Sequence, residues 1–170
     1  MANDPTVRDL MIPLEDFPHI PYWFTLRQAM AIVREATVKF EGAFEPRAVL
    51  VFDEKYQLMG ILTLRNMIKG LDLNFLQETS PGAMDPNLTV LTGGLLGPNM
   101  SAASQRPVSE VMCPIAVTVE ASAPVAKALF LMIQENVGFL PVVQAGRVAG
   151  MIRFSALFNE VAKVVLGDQA

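Results

Sequence analysis

The side chains able to do chemistry are few in this 170-residue chain, and they are scattered. There is one histidine, His19, and one cysteine, Cys113. A cysteine nucleophile needs a base or a cation beside it to become a thiolate, and His19 lies in the other half of the sequence. Ser109, Ser122 and Ser155 have no histidine in their motifs, so no Ser–His pair is written locally. The carboxylates Asp53 and Glu54 fall at a turn between apolar runs, where water solvates them. No Cys, Asp or Glu clusters around His19 at ligand spacing. Catalytic residues and metal ligands are therefore expected to be none. What remains is Thr63, in the segment Gly60-Ile61-Leu62-Thr63-Leu64-Arg65-Asn66. A hydroxyl at the start of a helix either caps its free N–H groups or helps them hold an anion.

The elements that position Thr63 occur twice. Val7-Arg8-Asp9-Leu10-Met11-Ile12-Pro13 returns as Val108-Ser109-Glu110-Val111-Met112-Cys113-Pro114, and Gly60–Asn66 returns as Gly150–Ala156. A repeat of this size predicts two copies of one supersecondary unit. In the first copy Asp9-Leu10-Met11 opens on a helical turn and His19–Phe24 reads as a short edge strand broken by Pro21. Thr25 caps a helix whose apolar face is Leu26, Ala29, Met30, Ile32 and Val33. Glu41–Pro46 reads as a loop. Ala48–Phe52 and Gln57–Thr63 are the strands of a hairpin turning at Asp53-Glu54-Lys55, and Leu64–Leu71 closes the unit as a helix. The second copy reads as a strand at Ala116–Val119 and a helix capped by Ser122, with Val125, Ala128, Leu129, Met132 and Ile133 inward. Strands Phe139–Val143 and Arg147–Ile152 and a helix Phe154–Leu166 follow. Each copy is thus β-α-β-β-α. The boundaries are 1–73 for the first copy, 74–106 for a connector and 107–170 for the second. The connector is rich in glycine and proline, long for a compact domain, and apolar from Leu88 to Leu96.

Composition narrows the function classes. Hydrophobic residues make up 52% and charged residues 18% of the chain, with a mean hydropathy of +0.37. No apolar run approaches the roughly 18 residues a membrane span needs, and no basic, apolar signal segment opens the sequence. The surplus apolar surface is expected in a protein interface, as a homodimer joined through helices. Net charge is −4 with no lysine- or arginine-rich cluster, which excludes a nucleic-acid footprint. A single cysteine allows no internal disulfide and suits a reducing, cytoplasmic location.

The opening Val-x-Asp-Leu-Met-x-Pro, its echo at Val108–Pro114, Phe139-Leu140-Pro141-Val142-Val143 before a turn, and Gly60–Asn66 occur in one order, twice over. In these marks the chain resembles the cystathionine-β-synthase (CBS) domain family, as a stand-alone tandem pair. The resemblance implies an α/β (α+β) fold of two β-α-β-β-α CBS repeats, packed through their sheets with pseudo-twofold symmetry and leaving two clefts. It also implies a disc-like homodimer and a non-catalytic regulatory module that signals to a separate partner. No cofactor is required, and the ligand would be AMP, ADP, ATP or an adenosyl compound. The family places a Thr or Ser hydroxyl near the phosphates and an Asp, one turn later, on the ribose hydroxyls. Thr63 matches the first position, Asn66 replaces the Asp, and Arg65 stands beside it. Ile61, Ile115, Ala116, Gly138, Phe139 and Leu140 would complete that cleft by the same resemblance, although Leu140 reads more simply as core. In the second copy Arg153 and Ala156 occupy the two positions, so that cleft is expected to be empty or rearranged, with Arg153 as a second anion contact. The alternative reading is a structural or protein-interaction module whose nucleotide sites have decayed.

Overall fold

The structure is a computed structural model, and it describes residues 4–39, 48–71 and 99–167. The loop Glu41–Pro46 and the apolar stretch Leu88–Leu96 lie outside the described residues. The chain forms two compact units: residues 18–114, and residues 1–17 together with 115–170. The units do not follow the order of the repeats. The opening motif of each sequence copy belongs to the unit built on the other copy's hairpin.

In the unit of residues 18–114, a four-stranded sheet runs β2 (His19–Pro21), β3 (Ala48–Phe52), β4 (Leu58–Thr63), β5 (Cys113–Pro114). Strand β2 lies at an edge and pairs in parallel with β3, which tolerates Pro21. All five residues of β3 are buried, as the unbroken run Ala48-Val49-Leu50-Val51-Phe52 predicts. Helix α2 (Leu26–Lys39) begins at Thr25. The Thr25 hydroxyl accepts the Gln28 N–H at 3.2 Å, and the Gln28 side-chain oxygen accepts the Thr25 N–H at 2.9 Å. This reciprocal cap satisfies two of the helix's free donors. Leu26, Ala29 and Val33 then enter a core with Ile20, Val49, Val51, Leu62, Met67 and Val108. Helix α3 (Leu64–Gly70) closes the unit, and a short helix α4 (Asn99–Ala103) leads into the second opening motif.

The other unit repeats the plan. Its sheet runs β1 (Ile12–Pro13), β8 (Arg147–Arg153), β7 (Phe139–Gln144), β6 (Val119–Glu120). Helix α1 (Val7–Leu10) carries Val7 into a core with Val119, Ala121, Ala123, Ala128, Met132, Leu140, Val142, Ile152 and Leu157. The Thr6 backbone N–H and hydroxyl donate to the Asp9 carboxylate at 2.8 and 2.9 Å, which holds the Asp9 pKa below its ordinary value. Helices α5 (Val125–Glu135) and α6 (Phe154–Leu166) cover the unit.

Three readings of the second copy need correction. The strand expected at Ala116–Val119 is Val119–Glu120. Ser122 does not cap α5: the helix starts after Pro124, whose extended backbone and missing N–H leave Ser122 no donor at the right place. Ile133 is 65% exposed rather than inward. It follows Met132 by about 100° around the helix, off the buried line through Ala128 and Met132.

Candidate functional site

Thr63 ends strand β4 and caps helix α3. Its hydroxyl accepts the Asn66 N–H at 3.1 Å, while the Asn66 Oδ1 accepts the Thr63 N–H at 3.0 Å and the Thr63 hydroxyl proton at 2.7 Å. A backbone N–H can only donate, so the Thr63 N–H fixes which end of the Asn66 amide faces it. The amide nitrogen is thereby turned the other way, where it donates to the Cys113 Sγ at 3.3 Å. Asn66 therefore spends its acceptor on the cap and presents a donor beside a thiol. Arg65, one residue earlier, is exposed, and Ile61 is half-buried.

Strand β5 brings Cys113 to this place. Cys113 pairs with Ile61 and Pro114 with Gly60 in antiparallel register. Gly60 is required by that approach: an added Cβ would lie 2.6 Å from the Met112 Sδ and 2.7 Å from the Cys113 carbonyl oxygen. Cys113 lies on this strand and is exposed. Its neighbourhood to Asn66 was not legible in the sequence, because 47 residues separate the two. Asn66 also lines a shallow hollow of about 200 Å³ together with Lys69, Gly70, Arg106, Glu110 and Val111. Arg106 straps it, donating to the Gly70 carbonyl at 3.2 Å and pairing with Glu110 at 3.4 Å.

The remaining site residues lie in the other unit. Ile115 and Phe139 are half-buried, and Ala116 and Gly138 are exposed. Leu140 is fully buried in the core cluster, which is the simpler of its two readings. Arg153 stands where Thr63 stands in the first copy, as the N-cap of α6, with no side-chain capping bond and with Ala156 at the third helical position. The two helix starts thus differ in chemistry: one is closed by a Thr–Asn cap, the other carries a cation and a methyl group.

Among the described residues no group of His, Cys, Asp or Glu could hold a metal ion. His19 is held by Tyr56, whose hydroxyl lies 2.9 Å from the imidazole Nε2. No described helix is long and apolar enough to cross a membrane.

The family model of the CBS domain matches residues 108–163. No curated protein matches the sequence. Solved structures share the fold at low identity. CBSX2 from Arabidopsis thaliana has a TM-score of 0.66 at 16% identity, over 99% of this chain and 100% of that one. CBSX2 in complex with AMP has a TM-score of 0.63 at 20% identity, over 94% and 98%. The cytosolic domain of the Mg2+ channel MgtE in complex with ATP has a TM-score of 0.59 at 22% identity. That match covers 89% of this chain and 47% of that one, so the chain spans just under half of the channel domain's length.

Proposed function

We propose that this chain, which carries a CBS domain over residues 108–163 and has the fold of CBS-pair proteins, is a non-catalytic regulatory module for an adenine nucleotide or adenosyl ligand. The observation that carries the reading is the capped helix start at Thr63 and Asn66, with the Cys113 thiol against the Asn66 amide and the exposed Arg65 next in sequence. It supplies a hydroxyl, an amide donor and a cation within one turn, enough to orient a ribose phosphate. Two structures of this fold hold AMP and ATP, which supports the choice of ligand class. Output then passes to a separate partner protein.

The same reading includes a homodimer and a cytoplasmic location. Phe130 and Ile133 on α5, and Phe158, Val161 and Val165 on α6, are large apolar side chains open to solvent on one unit. Covering them is the physical reason to dimerise. The single free thiol, Cys113, suits a reducing compartment.

A second reading has one observation of its own. The Asn66 oxygen is already used by Thr63, which leaves a ribose without the acceptor it would seek. That favours an interaction module with decayed sites. Isothermal calorimetry with AMP, ADP, ATP and S-adenosylmethionine separates the two. Saturable binding of an adenine compound, weakened in Thr63→Val, supports the sensor. No heat with any of the four supports the interaction module.

A further inference from the structure

Helices α5 and α6 pack against each other and keep charge off one shared face. On α6 the exposed side chains Phe154, Phe158, Val161 and Val165 follow at spacings of four, three and four residues. At 100° per residue they fall within an arc of about 60°. On α5 the exposed Ala126, Phe130 and Ile133 repeat the spacing, four and then three. This is the narrow line by which one helix meets another. Other residues hold the two helices to their own core: Ala128 and Met132 on α5, and Leu157 on α6. The charges of α6 stand elsewhere. Lys163 lies about 180° around the helix from Phe154, and it pairs with Glu160 at 2.7 Å.

The matching face of the other unit differs in chemistry. Where α5 has Ala126, Phe130 and Ile133, α2 has Arg27, Ala31 and Arg34, all exposed. Helix α3 adds only Leu64 and Ile68, because it ends at Gly70. Laying Phe130 and Ile133 of a second copy on that face would strip water from two guanidinium groups, against a line that carries no carboxylate. The α5–α6 face meets no such cost against itself. Taking about 200 Å² for a fully open phenylalanine, the exposed parts of its apolar side chains come to on the order of 600 Å² per copy. Two copies then bury about 1,200 Å², the lower end of a stable interface.

We propose that two copies pair like with like through this face, with α6 antiparallel to α6 of the second copy. The pairing rests on the homodimer in the proposed function and fixes its contact. Direction follows from side-chain size. The line on α6 has phenylalanines at its start and valines at its end. An antiparallel pair sets Phe154 against the partner's Val165 and Phe158 against the partner's Val161. Each layer then holds one large and one small side chain. A parallel pair sets phenylalanine on phenylalanine and valine on valine, which crowds one end and leaves voids at the other. A two-fold axis between Phe158 and Val161 builds the antiparallel arrangement from a single self-complementary patch.

Sedimentation and cysteine pairing of the full chain test it, in a Cys113→Ser background. Phe154 and Val165 of one antiparallel pair face each other, whereas two copies of Phe154 stand about 16 Å apart along the helix axis, too far for a disulfide. The expected result is a dimer by sedimentation. Phe154→Cys and Val165→Cys chains, equilibrated together under reduction and then mildly oxidised, should form a mixed disulfide at least tenfold above the product of either variant alone. Lys163→Cys, on the opposite side of α6, sets the collision background. In a protein that sediments as a dimer, a disulfide of Phe154→Cys with itself, or a mixed yield no higher than that background, overturns the antiparallel pairing and leaves the dimer standing. A wild-type monomer at micromolar concentration overturns the dimer and the pairing together. Should the cysteine variants sediment as monomers, charge decides. Phe154→Glu alone and Val165→Lys alone should each be monomeric, and their mixture should sediment as a heterodimer, because antiparallel pairing sets the new carboxylate against the new ammonium. A mixture that stays monomeric overturns the pairing.

Discussion

Asn66→Asp is the most informative single change. In the wild type the Asn66 Oδ1 accepts the Thr63 N–H at 3.0 Å and the Thr63 hydroxyl at 2.7 Å, and the Cys113 Sγ lies 3.3 Å from the amide nitrogen and 3.6 Å from the same oxygen. Aspartate keeps one oxygen in the cap and places a second oxygen where the amide nitrogen stood. The lost contact is a bond to sulfur, a weak acceptor, and the thiol can donate to the new oxygen instead. A ribose hydroxyl thereby gains a charged acceptor. A hydrogen bond to a charged group contributes about 1.5–3 kcal/mol and a neutral one about 0.5–1.5. The expected gain for adenosine is thus about 1 kcal/mol, roughly fivefold in Kd. For ATP the new carboxylate also repels the phosphates, so the gain should be smaller or absent. Calorimetric titration of both variants with adenosine and with ATP reads the two numbers. Circular dichroism shows that the variant is folded. Equal or weaker adenosine binding in a folded Asn66→Asp protein would refute the ribose assignment and leave Asn66 as a helix cap alone.

Other expectations rest on single contacts. Thr63→Val removes the cap of α3 and should cost about 1 kcal/mol in urea unfolding, with phosphorylated ligands weakened more than adenosine. Gly60→Ala forces a Cβ within 2.6 Å of the Met112 Sδ and 2.7 Å of a carbonyl oxygen, and should destabilise by about 2 kcal/mol in the same assay. Asp9 is held below its ordinary pKa of 3.8 by the Thr6 N–H and hydroxyl, so its cap is present above that value and is lost as pH falls through the lower folded one. Asp9→Asn should therefore lower the melting temperature at neutral pH, with variant and wild type converging as pH falls well below 3.8. Ile133→Glu with Phe158→Glu charges the exposed face of α5 and α6 and should turn a sedimenting dimer into a monomer without loss of helix signal.

Much of the fold was legible because local chemistry agreed with it. The repeated Val-x-acid-aliphatic-Met-x-Pro, the apolar run Ala48–Phe52 and the Thr25 and Thr63 caps each act within a few residues, where side-chain type and spacing suffice. The misreadings arose where a neighbour on the chain was a poor guide. Ser122 has the right hydroxyl, but Pro124 moves the helix start beyond it. Ile133 belongs to an apolar period, yet the helix turns it to solvent because Ala128 and Met132 already face the sheet.

At the candidate site, the sequence by itself determined the residue types: a threonine at a helix start, an asparagine one turn later, and an arginine and an alanine in the matching places of the second copy. Tertiary structure alone decided what those residues are free to do. The Thr63 N–H turns the Asn66 amide so that its oxygen is consumed, and β5 carries Cys113 across 47 residues to meet the nitrogen. It also decided which motif completes which sheet. Hydrogen-bond partners in a strand are chosen by register and by room for the backbone. A glycine opposite a proline is the same room in both units, wherever the chain happens to bring its segment from.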